Sequence, residues 1–369
     1  MQDRRPLGKR FALALIACLT ACSDQPDLGP EDVCADPADC RLFEAGQIAG
    51  VNVGLASPLL TESEIEVTLA ESNILNNHMF SWAAFEPNRD DYRFEELERR
   101  GAIAEENGIP QNAFHFAWEN QFLDDFPAWV GDITDPEELR EELRQRAAVI
   151  FERYPNLAKI NVINEPLSTF IMGEEALEPT GGLEPNHFYQ VLGPDYIEEL
   201  FWIVDAAAPD GVELVLNDNF TEYFPLKAQA LVALVRQLVD SGAPIDSVGF
   251  QTHLMLTELF DIEPDFELHQ ETMQQVADLG VNVWISELDN PVDPTREDWL
   301  EFQAANYRRA VEACLAVSRC TDIQIWGVQD GDYFFDVGYE PTSALLFTEN
   351  FERKPAYFAV RDALLRGRP

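Results

Sequence analysis

Short apolar runs alternate along most of the chain with longer stretches in which apolar residues recur every three or four positions. The runs predict strands over 48–56, 74–80, 111–118, 159–163, 213–217, 247–252, 282–286 and 322–327. The stretches between and after them predict helices over 61–71, 94–107, 136–153, 194–208, 226–241, 264–279, 296–317 and 354–365. Several of these helices open on Thr, Asp or Pro, and Gly108, Gly242 and Gly280 each close one just before the next strand. Eight consecutive strand–helix units predict a single (β/α)8 TIM barrel over residues 46–369. A doubly wound sheet is the second choice, but no Gly-rich phosphate loop follows the first strand.

A barrel of this kind carries its chemistry where the strands end. Polar residues gather at those points: Trp118-Glu119-Asn120-Gln121, Asn164-Glu165, Asn217-Asp218-Asn219, Gln251-Thr252-His253, Glu287-Leu288-Asp289 and Gln329-Asp330. Glu165 closes the fourth run and Glu287 the seventh. Two carboxyl groups facing each other across a barrel mouth suit glycoside hydrolysis, one protonating the leaving oxygen while the other attacks the anomeric carbon or activates water. Either acid alone is equally well explained by an ion pair with a neighbouring Arg; the pair at strands four and seven is the more specific signal.

Charge narrows the partners. Asp and Glu number 67 against 25 Lys and Arg, a net charge of −42, and the lysines are only Lys9, Lys159, Lys227 and Lys354. Such a field repels nucleic acid, anionic membrane surfaces and polyanionic substrates. It is that of a well-solvated surface, or of a protein adapted to a saline or acidic habitat. With 24 Phe, 7 Trp and 9 Tyr there is ample apolar surface for a core.

The N-terminus has a different composition. Arg4, Arg5, Lys9 and Arg10 precede the apolar run 11–19, too short for a stable membrane span, which ends in Leu19-Thr20-Ala21-Cys22. This pattern resembles the lipobox of bacterial lipoproteins. That resemblance implies cleavage after residue 21, lipidation of Cys22 and, with Ser at 23, an outer-membrane or cell-surface location. An ordinary secretory signal is the alternative, leaving the protein secreted or periplasmic. Residues 22–45, rich in Asp, Pro, Glu and Ala, read as a tether. Export permits disulfides. Cys34/Cys40 and Cys314/Cys320 form two close pairs without zinc-site spacing and are expected to be bridged.

The motifs at the strand ends resemble glycoside hydrolase family 10, the retaining endo-β-1,4-xylanases, over about residues 46–366. The resemblance rests on Asn164-Glu165, Ser286-Glu287-Leu288-Asp289, Gly249-Phe250-Gln251-Thr252-His253-Leu254 and Trp326-Gly327-Val328-Gln329-Asp330, with Leu345-Leu346-Phe347 and Lys354-Pro355-Ala356-Tyr357 near the C-terminus. It implies Glu165 as general acid/base and Glu287 as nucleophile. It further implies Asn164 on the sugar 2-hydroxyl, His253 and Asp289 orienting the nucleophile, and Trp326 flooring the site, with Gln251, Trp118, Asn77, Trp82 and His115 as further sugar contacts. The chemistry needs no metal or organic cofactor. The expected partner is a polysaccharide, with the membrane reached only through the N-terminal lipid and the protein acting as a monomer.

Departures from the family pattern concentrate after strands two and three. Where members carry Glu-Asn-Glu-Met-Lys-Trp, this chain reads Asn76-Asn77-His78-Met79-Phe80-Ser81-Trp82, without the Lys or either Glu. The family's His-x-x-x-Trp-His becomes Phe114-His115-Phe116-Ala117-Trp118-Glu119, its Tyr after strand five is missing, and a second Trp after strand eight appears as Phe334. The hydrolytic pair is intact while the sugar-gripping residues are altered. Xylan is therefore the expected substrate, with another β-linked glycan as the alternative. A surface glycan-binding lipoprotein without turnover is a third reading, against which both acids stand.

Overall fold

The computed structural model describes residues 33, 34, 36–57, 59, 61–119, 126–168, 182–333 and 343–369. Its strands are β1 (Asn52–Leu55), β2 (Leu75–Asn77), β3 (Gln111–Ala113), β4 (Leu157–Asn164), β5 (Glu213–Asp218), β6 (Ser247–Phe250), β7 (Asn282–Leu288) and β8 (Cys320–Ile325). The described helices are α1 (Leu42–Ala49), α2 (Glu62–Glu71), α3 (Trp82–Phe85), α4 (Glu95–Glu106), α5 (Ala128–Gly131), α6 (Pro136–Arg153), α7 (His187–Leu192), α8 (Tyr196–Ala207), α9 (Pro225–Ser241), α10 (Leu256–Phe260), α11 (Phe266–Ala277), α12 (Trp299–Leu315) and α13 (Pro355–Arg366).

All strand pairs are parallel, in the order β1-β8-β7-β6-β5-β4-β3-β2. The seam between β1 and β2 is closed partly by side chains. Asn73 N–H donates to Val53 O at 2.9 Å, Val53 N–H to Asn73 Oδ1 at 2.8 Å and Leu55 N–H to Ser72 Oγ at 3.0 Å. Gly54 permits this approach, since a Cβ there would lie 2.6 Å from Ile74 O. The result is the (β/α)8 barrel that the alternation predicts.

The helices follow their sequence signals. Asp135 accepts from the N–H groups of Glu137 and Glu138, Pro136 opens α6, and Leu139, Leu143, Ala147 and Ile150 line one fully buried face. Truncating one of those leucines to Ala costs ~2–5 kcal/mol, the usual range for a core Leu. Strands covered on both faces read as apolar runs; in β7 only Asn282 escapes full burial. Inside the barrel Lys159 of β4 spans to Glu213 (2.6 Å) and to Asp322 of β8 (3.1 Å).

Several boundaries differ from expectation: the second strand stops at Asn77, with His78–Phe80 in a 3-10 turn, the third stops at Ala113, and the N-terminal part differs more. Leu42 and Ala45, expected in the tether, are buried on α1, and Ile48, expected in the first strand, is also on that helix. The acidic composition of 22–45 hid the short apolar face that begins at Leu42. At the other end Arg368 donates to Val317 O and Cys320 O at 2.6 Å each and to Ala49 O at 3.2 Å. The Cys34–Cys40 and Cys314–Cys320 disulfides are both present, the second joining the end of α12 to the start of β8. Among the described residues no helix is long and apolar enough to cross a membrane.

Candidate active site

Glu165 leaves β4 in a left-handed conformation, φ 51°, with its N–H donating to Asn217 O at 2.8 Å. A non-glycine residue in that region is uncommon, and the cross-strand bond holds it there. Gln251 Nε2 donates to Glu165 Oε1 at 2.9 Å. Burial raises the Glu165 carboxyl above the usual range and outweighs the opposing pull of Gln251 and Lys227; the Glu287 and Asp218 charges raise it further.

Glu287 lies buried on β7, held from two sides. Asn217 Nδ2 donates to its Oε1 at 2.6 Å, and His253 Nε2 lies 3.2 Å from its Oε2. The other ring nitrogen of His253 lies 2.7 Å from Asp289 Oδ2. Burial alone would push His253 down, but the Asp289 and Glu287 carboxylates prevail and hold it well above the ordinary histidine value.

Asn217 is the hub. Its Nδ2 also donates to Asn164 Oδ1 at 2.8 Å, and its Oδ1 accepts from Ser286 Oγ at 2.6 Å. Asn164 Oδ1 further receives Asn161 Nδ2 at 3.1 Å and Gln251 Nε2 at 3.4 Å. One network thus runs Glu165–Gln251–Asn164–Asn217–Glu287–His253–Asp289 across β4, β5, β6 and β7. Only glycine at 249 leaves room for it, because a Cβ there would fall 2.1 Å from Asn217 Oδ1. Behind the network, Lys227 of α9 pairs with Asp218 at 2.8 Å, both fully buried.

Trp326 stands half-buried beside this array, its ring 5.1 Å from His78, 5.9 Å from Phe114 and 6.3 Å from His253, over a core of Phe114, Val215 and Trp284. Trp118 is also half-buried, against His115 at 4.9 Å. Away from the Cys34–Cys40 disulfide, no three metal-ligating atoms of the described residues converge to within 4.8 Å of one another.

The second and third strand ends depart from the expected sugar contacts. Asn77 is buried and turned inward, its Oδ1 capping Met79 N–H at 3.2 Å and its Nδ2 donating to Gln111 at 3.3 Å. Trp82 is buried beneath the Arg146 guanidinium at 4.9 Å and donates Nε1–H to Glu86 at 3.1 Å. His115 is buried with Nδ1 2.6 Å from Asn161 Nδ2, and burial pushes it down to about 3, with His78 adding to the shift. These three side chains each have internal partners. Glu119 accepts from His187 N–H, tying the end of the third strand to α7. Asn120, Gln121, Phe334 and Cys22 lie outside the described residues.

Asn217, Ser286 and Asn161 also shape the site, roles that the strand-end motifs do not assign. Asn217 carried a signal, as a polar residue at a strand end; Asn161, three residues inside a buried strand, was the kind of polar core residue that also warranted attention.

A parallel eight-stranded barrel with acids at the ends of β4 and β7 is the arrangement that glycoside hydrolysis requires. The chain belongs to glycosyl hydrolase family 10, whose family model matches residues 45–363. It is 30% identical over 311 residues to endo-1,4-beta-xylanase B of Thermotoga neapolitana, covering 82% of this chain and 84% of that one. It is 29% identical over 298 residues to endo-1,4-beta-xylanase 2 of Aureobasidium pullulans, covering 78% of each. Among solved structures it superimposes on native xylanase 10B of Thermotoga maritima with a TM-score of 0.77 at 27% identity, over 89% of this chain and 98% of that one.

Proposed function

We propose that the chain is a retaining endo-1,4-β-xylanase in which Glu165 is the general acid/base and Glu287 the nucleophile. The observation that carries this reading is the asymmetry of the two carboxyls. Glu165 is pushed toward its protonated form by burial, as an acid must be, whereas Glu287 is fixed in one orientation by Asn217 and His253. In the first step Glu165 gives its proton to the leaving oxygen as Glu287 attacks the anomeric carbon. In the second step Glu165 takes a proton from water as water releases the glycosyl group. Asn164, its Oδ1 engaged by three donors, is placed to offer Nδ2–H to the sugar 2-hydroxyl, a contact that strengthens in the transition state. The test is Glu287→Ala. It should abolish polysaccharide turnover, and azide or formate should restore it with an α-linked product; activity near wild type removes the assignment. Glu165→Ala should lose most on poor leaving groups and least on activated aryl glycosides.

The reworked second strand end favours a second substrate reading, a differently decorated or differently linked β-glycan. With Phe80 and Ser81 where relatives place a Lys, and Asn77 and Trp82 turned inward, charged contacts to sugar hydroxyls are lost there. Each such bond is worth ~1.5–3 kcal/mol, so kcat/KM on plain xylan should be roughly ten- to a hundredfold below that of an orthodox relative. Comparing plain xylan, decorated xylan and mixed-linkage glucan decides between the substrates.

We also propose export as a lipoprotein anchored through Cys22, supported by the basic stretch and the Leu19-Thr20-Ala21-Cys22 sequence. Cys22→Ala should release the protein from the membrane fraction of a lipidating host with its activity unchanged. Wild-type protein found soluble and unlipidated there removes the proposal.

A further inference from the structure

His115 sits at the end of the third strand, where a sugar contact was expected, yet it faces the interior. It is 5% exposed, and its ring packs 5.0 Å from Phe114 and 4.9 Å from Trp118. Nδ1 lies 2.6 Å from Asn161 Nδ2, and the same Nδ2 donates to Asn164 Oδ1 at 3.1 Å. An amide NH2 has two protons and can serve both bonds. In that case His115 Nδ1 accepts, and the ring is the neutral tautomer with hydrogen on Nε2.

The backbone of His115 is fixed just as firmly. Arg146 of α6, fully buried, donates Nη2–H to His115 O at 3.2 Å and to Phe80 O at 2.5 Å, and Nε–H to Phe116 O at 3.0 Å. Its guanidinium also lies over the faces of Trp82, Phe85 and Phe116 at 4.9, 5.1 and 5.5 Å. Among the described residues no carboxylate lies within ion-pair distance of it. A buried cation held by carbonyls and aromatic faces, with the Glu86 charge acting on it from beyond ion-pair distance, is costly, and what it secures is the position of two strand ends.

We propose that His115, anchored by Arg146, is a positioning residue that acts through Asn161 to set the Asn164 amide. By accepting from Asn161 it directs the second Asn161 proton to Asn164 Oδ1. That bond, together with the donations from Asn217 and, at 3.4 Å, Gln251, keeps Asn164 Oδ1 on the protein side and turns Nδ2 to the sugar. An Asn164 free to flip would present a carbonyl to the 2-hydroxyl in a fraction of molecules and lose the transition-state contact in that fraction. The inference rests on the reading of Asn164 as the 2-hydroxyl partner.

The test uses the full chain and two substrates, an activated aryl β-xylobioside and the same compound lacking the 2-hydroxyl on the reacting sugar. His115→Phe keeps an aromatic ring and removes the acceptor. It should lower kcat ten- to a hundredfold on the hydroxylated substrate, with KM within threefold, and change the 2-deoxy substrate by less than threefold. His115→Asn, whose Oδ1 can take the place of Nδ1, should recover most of the loss. Equal losses on both substrates, or no recovery by His115→Asn, overturn the proposal. Asn164→Ala is the control for the underlying reading. If it impairs both substrates equally, Asn164 does not meet the 2-hydroxyl, and the relay falls with that reading rather than by itself. Should the phenylalanine variant fail to fold, nitrogen-detected NMR of wild-type histidines decides. His115 must appear as the neutral Nε2–H tautomer at neutral pH, and an Nδ1–H or doubly protonated ring overturns the proposal.

Discussion

Asn217 Nδ2 lies 2.6 Å from Glu287 Oε1, so the proposed nucleophile on β7 is oriented by an amide from a strand two places away in the sheet. A hydrogen bond to a charged group contributes ~1.5–3 kcal/mol, and tenfold in rate is ~1.4 kcal/mol. Asn217→Ala should therefore lower kcat by about ten- to a hundredfold. Gly249→Ala should mimic it, because its methyl takes the space of Asn217 Oδ1, and should also cost ~1–3 kcal/mol in stability through overpacking. Steady-state kinetics and urea denaturation of the two variants check both statements.

The bond from Gln251 to Glu165 favours the ionised acid and so works against burial, which raises the Glu165 carboxyl. Removing the donor leaves burial less opposed. In a Gln251→Leu variant the alkaline limb of the kcat/KM profile, where the acid loses its proton, should move to higher pH. An unmoved limb would show that a group other than Glu165 governs it.

Asp289 is the chief carboxylate raising His253. A histidine held above its unfolded value adds stability that is complete below about pH 6.5 and is lost as pH rises through the folded value. Asp289→Asn removes that support from a buried pair, a loss of order ~3–5 kcal/mol. Thermal melts should show the widest gap between variant and wild type near pH 6, narrowing as pH rises. A gap that widens with pH would contradict the charged pair.

A net charge of −42 should leave the surface repelling itself. Salt shortens the Debye length from ~10 Å at 0.1 M to ~3 Å at 1 M. The melting temperature should therefore climb over that range of NaCl. A flat response would mean that pairs such as Arg89–Glu138 and Arg140–Glu199 already neutralise the repulsion locally.

The barrel was legible because its two periods are dictated by burial. Strands covered on both faces are largely apolar, polar exceptions such as Lys159 and Asn161 being partnered inside, and helices covered on one face repeat every three to four residues, as Leu139, Leu143, Ala147 and Ile150 do. Glu165 and Glu287 stand out in the sequence because a charged residue ending an apolar run has few structural reasons to be there. What sequence could not show was direction. Asn77, Trp82 and His115 are residue types that bind sugars, but their orientations depend on Gln111, Arg146 and Asn161, each from a distant part of the chain. The start of α1 was missed because its few apolar residues stand among acidic ones.

Arg368 holds the last residues of the chain against Ala49, while α13 packs along α1. The start of α1 at Leu42 is seven residues back along the helix, about 10 Å away at 1.5 Å per residue. With residues 1–41 left out, a linker could therefore join the end of α13 to the start of α1, and the ring could be reopened at another exposed turn, such as the one at Gly242. Circular permutation would then leave every strand beside its present neighbours. The order in which the eight units are synthesised would become a variable that can be changed without altering the site they form.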